Sequence, residues 1–218
     1  MLHPRDAFAA VIGPDRRVYA IGGWDGQAVV SSVEAYNPRT DSWTTVPDLP
    51  LPLAQEGAVV TRHRIVVLGG GDAAGNHTYG TLFVFNGHGW VGGSSMPSPR
   101  RALGAAVDAH GMIFAIAGLD NSSSYQSTVD VYNPFTNNWS SGPSLPEALQ
   151  SPGVVSSGGH IYAIGGWNGA ALSQVAVLAQ PRAPGGRARA SAHSDGRPGA
   201  ARQSGTPDPG CINLDREL

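Results

Sequence analysis

Lysine is absent from the 218 residues, and all 14 basic residues are arginine. That bias reads as codon usage in a GC-rich genome and not as function. Cysteine is nearly absent too. A single one, Cys211, excludes an internal disulfide framework and leaves the redox compartment open. No apolar run approaches the roughly 18 residues of a membrane span, and the N-terminus carries no long apolar stretch of the signal-peptide kind. Neither a membrane span nor a signal peptide is expected, and a cytoplasmic location is. Excess charge is missing as well: the formal net charge is −2. Residues 1–180 hold eight arginines against twelve acids. An acidic body with no lysine-rich surface argues against nucleic acid as a partner. What is plentiful is glycine, at 30, and proline, at 17, which suit a fold with many turns.

The glycines keep a beat. Gly22-Gly23, Gly69-Gly70 and Gly165-Gly166 are near-copies, with a degenerate copy at Ala117-Gly118. The first position of each pair steps by 47, 48 and 48 residues. Trp43, Trp90 and Trp139 follow at steps of 47 and 49, and Tyr36, Phe85 and Tyr132 at 49 and 47. Three markers in one phase mean one supersecondary unit used about four times.

Each unit reads as four short antiparallel strands. In the first, the runs are Ala7 to Ile12, Arg17 to Ile21, Val33 to Tyr36 and Trp43 to Val46. All are 4–6 residues long with turn residues between them. The Gly-Gly pair ends the second strand, where positive φ and close backbone approach are available to glycine. Asn37-Pro38 ends the third. In the second unit the matching turn shrinks to Asn86-Gly87-His88-Gly89, and Asn-Gly predicts a tight two-residue hairpin.

The set of Gly-Gly, Val-Glu-Ala-Tyr36-Asn-Pro and Trp43, repeated in Val-Asp-Val-Tyr132-Asn-Pro and Trp139, resembles the kelch repeat. The resemblance covers about residues 5 to 178 and implies an all-β, kelch-type β-propeller. Its unit is one four-stranded blade. The blades are expected at about 5–46, 53–91, 100–141 and 150–178, within a 1–180 domain. The last lacks its fourth strand, because Leu178 stands where tyrosine is expected and no tryptophan follows. Propellers usually close with four to eight blades. A small ragged propeller, an open arc that takes a partner and an incomplete gene product all stay open. Unpaired strand edges invite self-association. Residues 181–218, rich in Arg, Gly, Pro and Ala, bury too little apolar surface to order and are expected to be a disordered tail.

The resemblance extends to enzymes, galactose oxidase and a sialic-acid mutarotase among them. A copper site of the first kind needs a blade cysteine cross-linked to tyrosine, and Cys211 lies outside every blade. The seven histidines show no close metal-ligand spacing, and His63, His110 and His160 fall in hairpins between first and second strands. No metal or other cofactor is expected. A mutarotase needs an acid–base carboxylate in a central pocket. Glu34 and Asp130 hold the ordinary third-strand acidic position. Glu56 and Glu147, near blade starts, are the carboxylates that could face a pocket, and nothing pairs them with a base.

What remains is a binding module for a protein or peptide. Family members bind through the loops after Gly-Gly and the segments leading into each first strand. The resemblance carries this to Trp24, Asp25, Gly71, Asp72, Leu119, Asp120, Trp167 and Asn168 in the loops. It points to Arg5, Gln55, Arg100, Arg101 and Gln150 in the lead-in segments. Aromatics and arginines dominate binding hot spots, which singles out Trp24, Trp167, Arg100 and Arg101.

Overall fold

The computed structural model describes residues 1–72 and 77–178, and the predicted tail at 181–218, with Cys211, lies outside them. Fifteen strands and no helix occur among the described residues. The first sheet joins β1 (Ala9–Ile12), β2 (Val18–Ile21), β3 (Val33–Asn37) and β4 (Ser42–Val46) as an antiparallel meander. The second joins β5 (Gly57–Thr61), β6 (Arg64–Leu68), β7 (Leu82–Phe85) and β8 (Trp90–Gly92). The third joins β9 (Gly104–Val107), β10 (Ile113–Ile116), β11 (Val129–Asn133) and β12 (Asn138–Ser141). The fourth has three strands, β13 (Gly153–Ser157), β14 (His160–Ile164) and β15 (Val175–Leu178).

The repeat markers meet across the ladders. Tyr36 pairs with Trp43, Phe85 with Trp90 and Tyr132 with Trp139, with ring centroids 5.2, 5.0 and 5.1 Å apart. Such cross-strand aromatic pairs stabilise a hairpin by packing on one face. Their indoles tie neighbouring blades: Trp90 Nε1 donates to the Pro47 carbonyl and Trp139 Nε1 to that of Ser94. Trp43, in the first blade, has no such acceptor among the described residues.

The β1 strand starts at Ala9, two residues later than the apolar run predicts, because Ala7 adopts φ +50° and cannot extend a strand. Gln55, Ala102 and Ser151 hold the same position and a similar φ of 50–58°. They form a relay, in which Gln55 N–H donates to the Ala7 carbonyl, Ala102 N–H to that of Gln55 and Ser151 N–H to that of Ala102. First strands β1, β5, β9 and β13 therefore lie side by side in order. The four-residue turn after β7 also departs from expectation. Only Gly87 of the Asn-Gly pair has positive φ, and Asn86 Oδ1 instead accepts the His88 and Gly89 N–H groups.

Apolar clusters fill the space between blades. Each blade presents one face forward and one backward: Tyr19, Ile21, Val33 and Ala35 of blade one pack on Ile65, Val67 and Phe85 of blade two. The forward face of blade four is bare. Val155, Ile164, Val175 and Val177 are 44–52% exposed, whereas Ile21, Leu68 and Ile116, the equivalents of Ile164, are fully buried. The described blades form an open arc.

The Gly-Gly pairs explain the tightness of the arc. Gly22 sits at φ +59°, and a Cβ there would lie 2.5 Å from the Leu53 carbonyl oxygen of the next blade's lead-in. Gly22→Ala combines a left-handed alanine with a backbone clash. We expect it to lose about 2 kcal/mol or more in chemical denaturation. Unchanged stability would mean that the blades separate freely. Ala117 replaces glycine in blade three yet keeps φ +58°, so the geometry survives the substitution.

Candidate functional site

The loops after Gly-Gly are held by a short ladder in every blade. Asp6 bridges Trp24, Ala54 bridges Gly71, Arg101 bridges Leu119 and Gln150 bridges Trp167. The predicted loop and lead-in residues thus share one end of the blades. Their exposure differs. Trp167 is 44% exposed, Trp24 is half-buried and Leu119 is 8% exposed.

The acidic residues that follow shape their own loops. Asp25 Oδ1 accepts the Gln27 and Ala28 N–H groups, each at 2.8 Å. The Ala28 and Gln27 amides hold its carboxyl below the usual range. Asp72 Oδ1 accepts the His77 N–H at 3.3 Å. Asp120 Oδ1 accepts from Ser122 and Ser124, and its Oδ2 accepts from Gln126 Nε2. Asn168 Nδ2 reaches Glu147 Oε2 at 3.4 Å, so the exposed Glu147 braces the blade-four loop. Gln55 is exposed and Gln150 half-buried on the same end.

Arg100 departs from its expected role. Its side chain is fully buried. Nη2 donates to Asp130, Nη1 to the Ala117 and Thr128 carbonyls and the Thr128 hydroxyl, and Nε to the Ser98 carbonyl. Buried at 0% exposure, the guanidinium is withdrawn from any partner on the loop face. Burial pushes its pKa down, and the Asp130 charge opposes that. Arg5 repeats the arrangement in blade one, with Nη1 on the Gly22 and Ser32 carbonyls and Nη2 on Glu34 at 2.8 Å. Burial raises the Glu34 pKa, but bonds from His3 and the Leu2 amide, with Arg5 beside it, leave it lowered. Arg101, 9% exposed, reaches the Asp120 carbonyl and Ser123 Oγ, which ties the blade-three loop to its lead-in.

Comparing the repeats reveals the pairing. Blades one and three put arginine at the lead-in and an acid on the third strand. Blades two and four put Leu53 with Phe83, and Leu149 with Ala176, at the same positions. Charge appears as a pair or is replaced as a pair.

Glu56 is also buried, at 6% exposure. Its Oε1 accepts the Ala9 N–H at 3.1 Å, and Oε2 has no partner. Burial pushes its pKa from 4.5 to about 8. It lines none of the three depressions formed around Arg17, Arg62 and Arg64 at the hairpin turns.

Four-stranded meanders, each closed by a Gly-Gly or Ala-Gly pair and a cross-strand Tyr/Phe–Trp pair, define blades of a propeller. The family profile described as Kelch motif matches residues 7–50, 100–146 and 149–176, more than half of the chain. The chain belongs to the kelch-repeat family. The profile passes over residues 51–99, yet the second sheet forms there. The chain is similar to human Kelch-like protein 35, at 31% identity over 68% of this chain and 25% of that one. It is similar to the Kelch-like protein terF of Aspergillus terreus, at 29% identity over 81% and 41%. It also resembles the Kelch repeat-containing protein kel-10 of Caenorhabditis elegans, at 27% identity over 77% and 30%. The matched part spans about a quarter to two-fifths of those relatives' length.

Proposed function

We propose that the chain is a protein-interaction module that binds a protein or peptide partner through its Gly-Gly loop face, without chemistry of its own. The carrying observation is Trp167, an indole left 44% exposed on a loop fixed to Gln150. Trp24 stands at the equivalent position of blade one. An exposed aromatic on a rigid ladder loses little entropy when it is covered. Capture from cell extract by wild type and by a Trp24→Ala/Trp167→Ala variant tests this reading. Loss of both anchors weakens a genuine partner by about 2–4 kcal/mol. An unchanged set of partners would show that another face binds. Sugar turnover abolished by Glu56→Gln would overturn the binding class altogether.

The bare end of blade four supports self-association as a second reading. Three blade junctions within the chain put a forward face on a backward face, and the relay of lead-in residues stops at Ser151. In this reading the forward face of blade four receives the backward face of blade one from a second copy. There Ile12 is 68% exposed and the Trp43 indole has no acceptor among the described residues.

A further inference from the structure

The arginines that remain outside the buried pairs are not spread evenly. Arg5 and Arg100 are buried on acids, and Arg101 braces a loop. The other five among the described residues are Arg16, Arg17, Arg39, Arg62 and Arg64. Four lie in turns at the hairpin end of blades one and two, opposite the Gly-Gly loops, and Arg64 opens β6 beside one of those turns. That end carries Asp15, Asp41 and Asp108 as its acids. The loop end carries Asp6, Asp25, Asp48, Asp72, Asp120 and Glu147. An acidic chain thus has one basic end.

Part of that basic charge is already engaged. Arg17 Nε donates to Asp15 Oδ2 at 2.5 Å, and its Nη2 donates to the Tyr19 hydroxyl, which itself donates to Asp15. Asp41 accepts the Tyr36 hydroxyl, and Asp108 accepts the His110 and Met112 amides. Arg16, Arg39, Arg62 and Arg64 form no ion pair among the described residues. Three adjoining depressions share these side chains. A groove of about 390 Å³ between blades one and two is lined by Arg62, His63, Arg64 and the Arg17–Asp15 pair over Tyr19 and Phe85, so Asp15 is the one acid on its wall. Arg17 continues into a second depression with Arg16 and Arg39, and Arg62 and Arg64 into a third that reaches Tyr132.

Arg62 and His63 form the two-residue turn between β5 and β6, at φ +49° and +59°. Blade four makes the matching turn with Gly158-Gly159, at φ +58° and +80°. Side chains in that conformation are strained where glycine is not. The turn holds Arg62 with its guanidinium 3.9 Å from the centre of the exposed Phe135 ring. Blade two thus carries an arginine and a histidine in a turn that glycine would make without strain.

We propose that this hairpin end binds an acidic protein segment, whose carboxylates lie along the groove between Arg17 and the Arg62–Arg64 turn. Multiple unpaired guanidiniums with an aromatic floor fit a run of Asp and Glu interrupted by an apolar side chain. The surface is separate from the Trp24 and Trp167 loops, so it stands or falls independently of the loop-face reading.

The test is fluorescence anisotropy of the full chain with a labelled Glu-rich peptide containing one phenylalanine. Wild type binds it more weakly as salt rises. Arg62→Ala/Arg64→Ala weakens binding by about tenfold or more. Replacing Arg62-His63 by Gly-Gly, as in blade four, weakens it as well and leaves the melting temperature at or above that of wild type. That last result separates recognition from folding. Equal binding of a Lys-rich peptide, unchanged affinity in both variants, or preferential binding of single-stranded RNA would overturn the proposal.

Discussion

Arg100→Leu is expected to destabilise the chain by about 3–5 kcal/mol, because it strands the Asp130 carboxylate in the interior. Asp130 is 6% exposed, and its ion-pair partner is the Arg100 guanidinium. The change also removes donors from the Ala117 and Thr128 carbonyls where the Gly-Gly region meets the third strand. A loss of that size is a large part of the roughly 5–15 kcal/mol that holds an ordinary domain. The repeats also supply the remedy. Blade four holds Leu149 and Ala176 where blade three holds Arg100 and Asp130, with Leu149 buried and Ala176 partly buried in one apolar cluster. The double variant Arg100→Leu/Asp130→Ala therefore recovers most of the loss. Urea denaturation of wild type, both single variants and the double variant gives the coupling directly. Additive single effects would refute the pairing.

Glu56→Gln is expected to remove a pH dependence. The ordinary carboxyl titrates near 4.5, and burial pushes that of folded Glu56 to about 8. The folded chain thus retains this proton longer than the unfolded one. Stability from this group is complete below 4.5, falls as pH rises from 4.5 to about 8, and levels off above. The decline amounts to about 3 kcal/mol by pH 7 and ~5 kcal/mol beyond pH 8. Glutamine stays neutral and can still accept the Ala9 N–H. Denaturation between pH 5 and 8.5 should show wild type weakening against a nearly flat Glu56→Gln profile. Parallel profiles would mean that Glu56 is hydrated. Its neighbours in the other blades make the direction plain, since Phe8, Leu103 and Pro152 occupy the equivalent position.

The blade pattern was legible because its markers act locally. A Gly-Gly pair, an Asn-Pro turn and a cross-strand Tyr–Trp pair each constrain a few neighbouring residues, and their beat survives even where Ala117 replaces glycine. Strand beginnings were less legible. Ala7 looks like the start of an apolar run, but its left-handed conformation is imposed by the relay to Gln55 in another blade. Arg100 misled for the same reason. An arginine beside a turn looks solvated until the acid thirty residues later folds against it. That signal was present, since arginine and acid alternate with leucine and an apolar residue from blade to blade. The isolation of Glu56 was not readable, because it depends on Gly22 and Ala9 of the preceding blade closing over it. Asp25 and Asp120 follow the Gly-Gly pairs, and their oxygens largely serve their own loops.

The exposed forward face of blade four carries the self-association reading, and mass in solution tests that reading most directly. Multi-angle light scattering over a concentration series would compare wild type with Val175→Asp/Val177→Asp. Both valines lie on the bare forward face of blade four, 46% and 52% exposed. The account predicts that the wild-type mass rises with concentration while the double variant stays at one chain. A wild type that remains a single, well-behaved chain at every concentration would contradict it, and would mean that blades one and four close on each other.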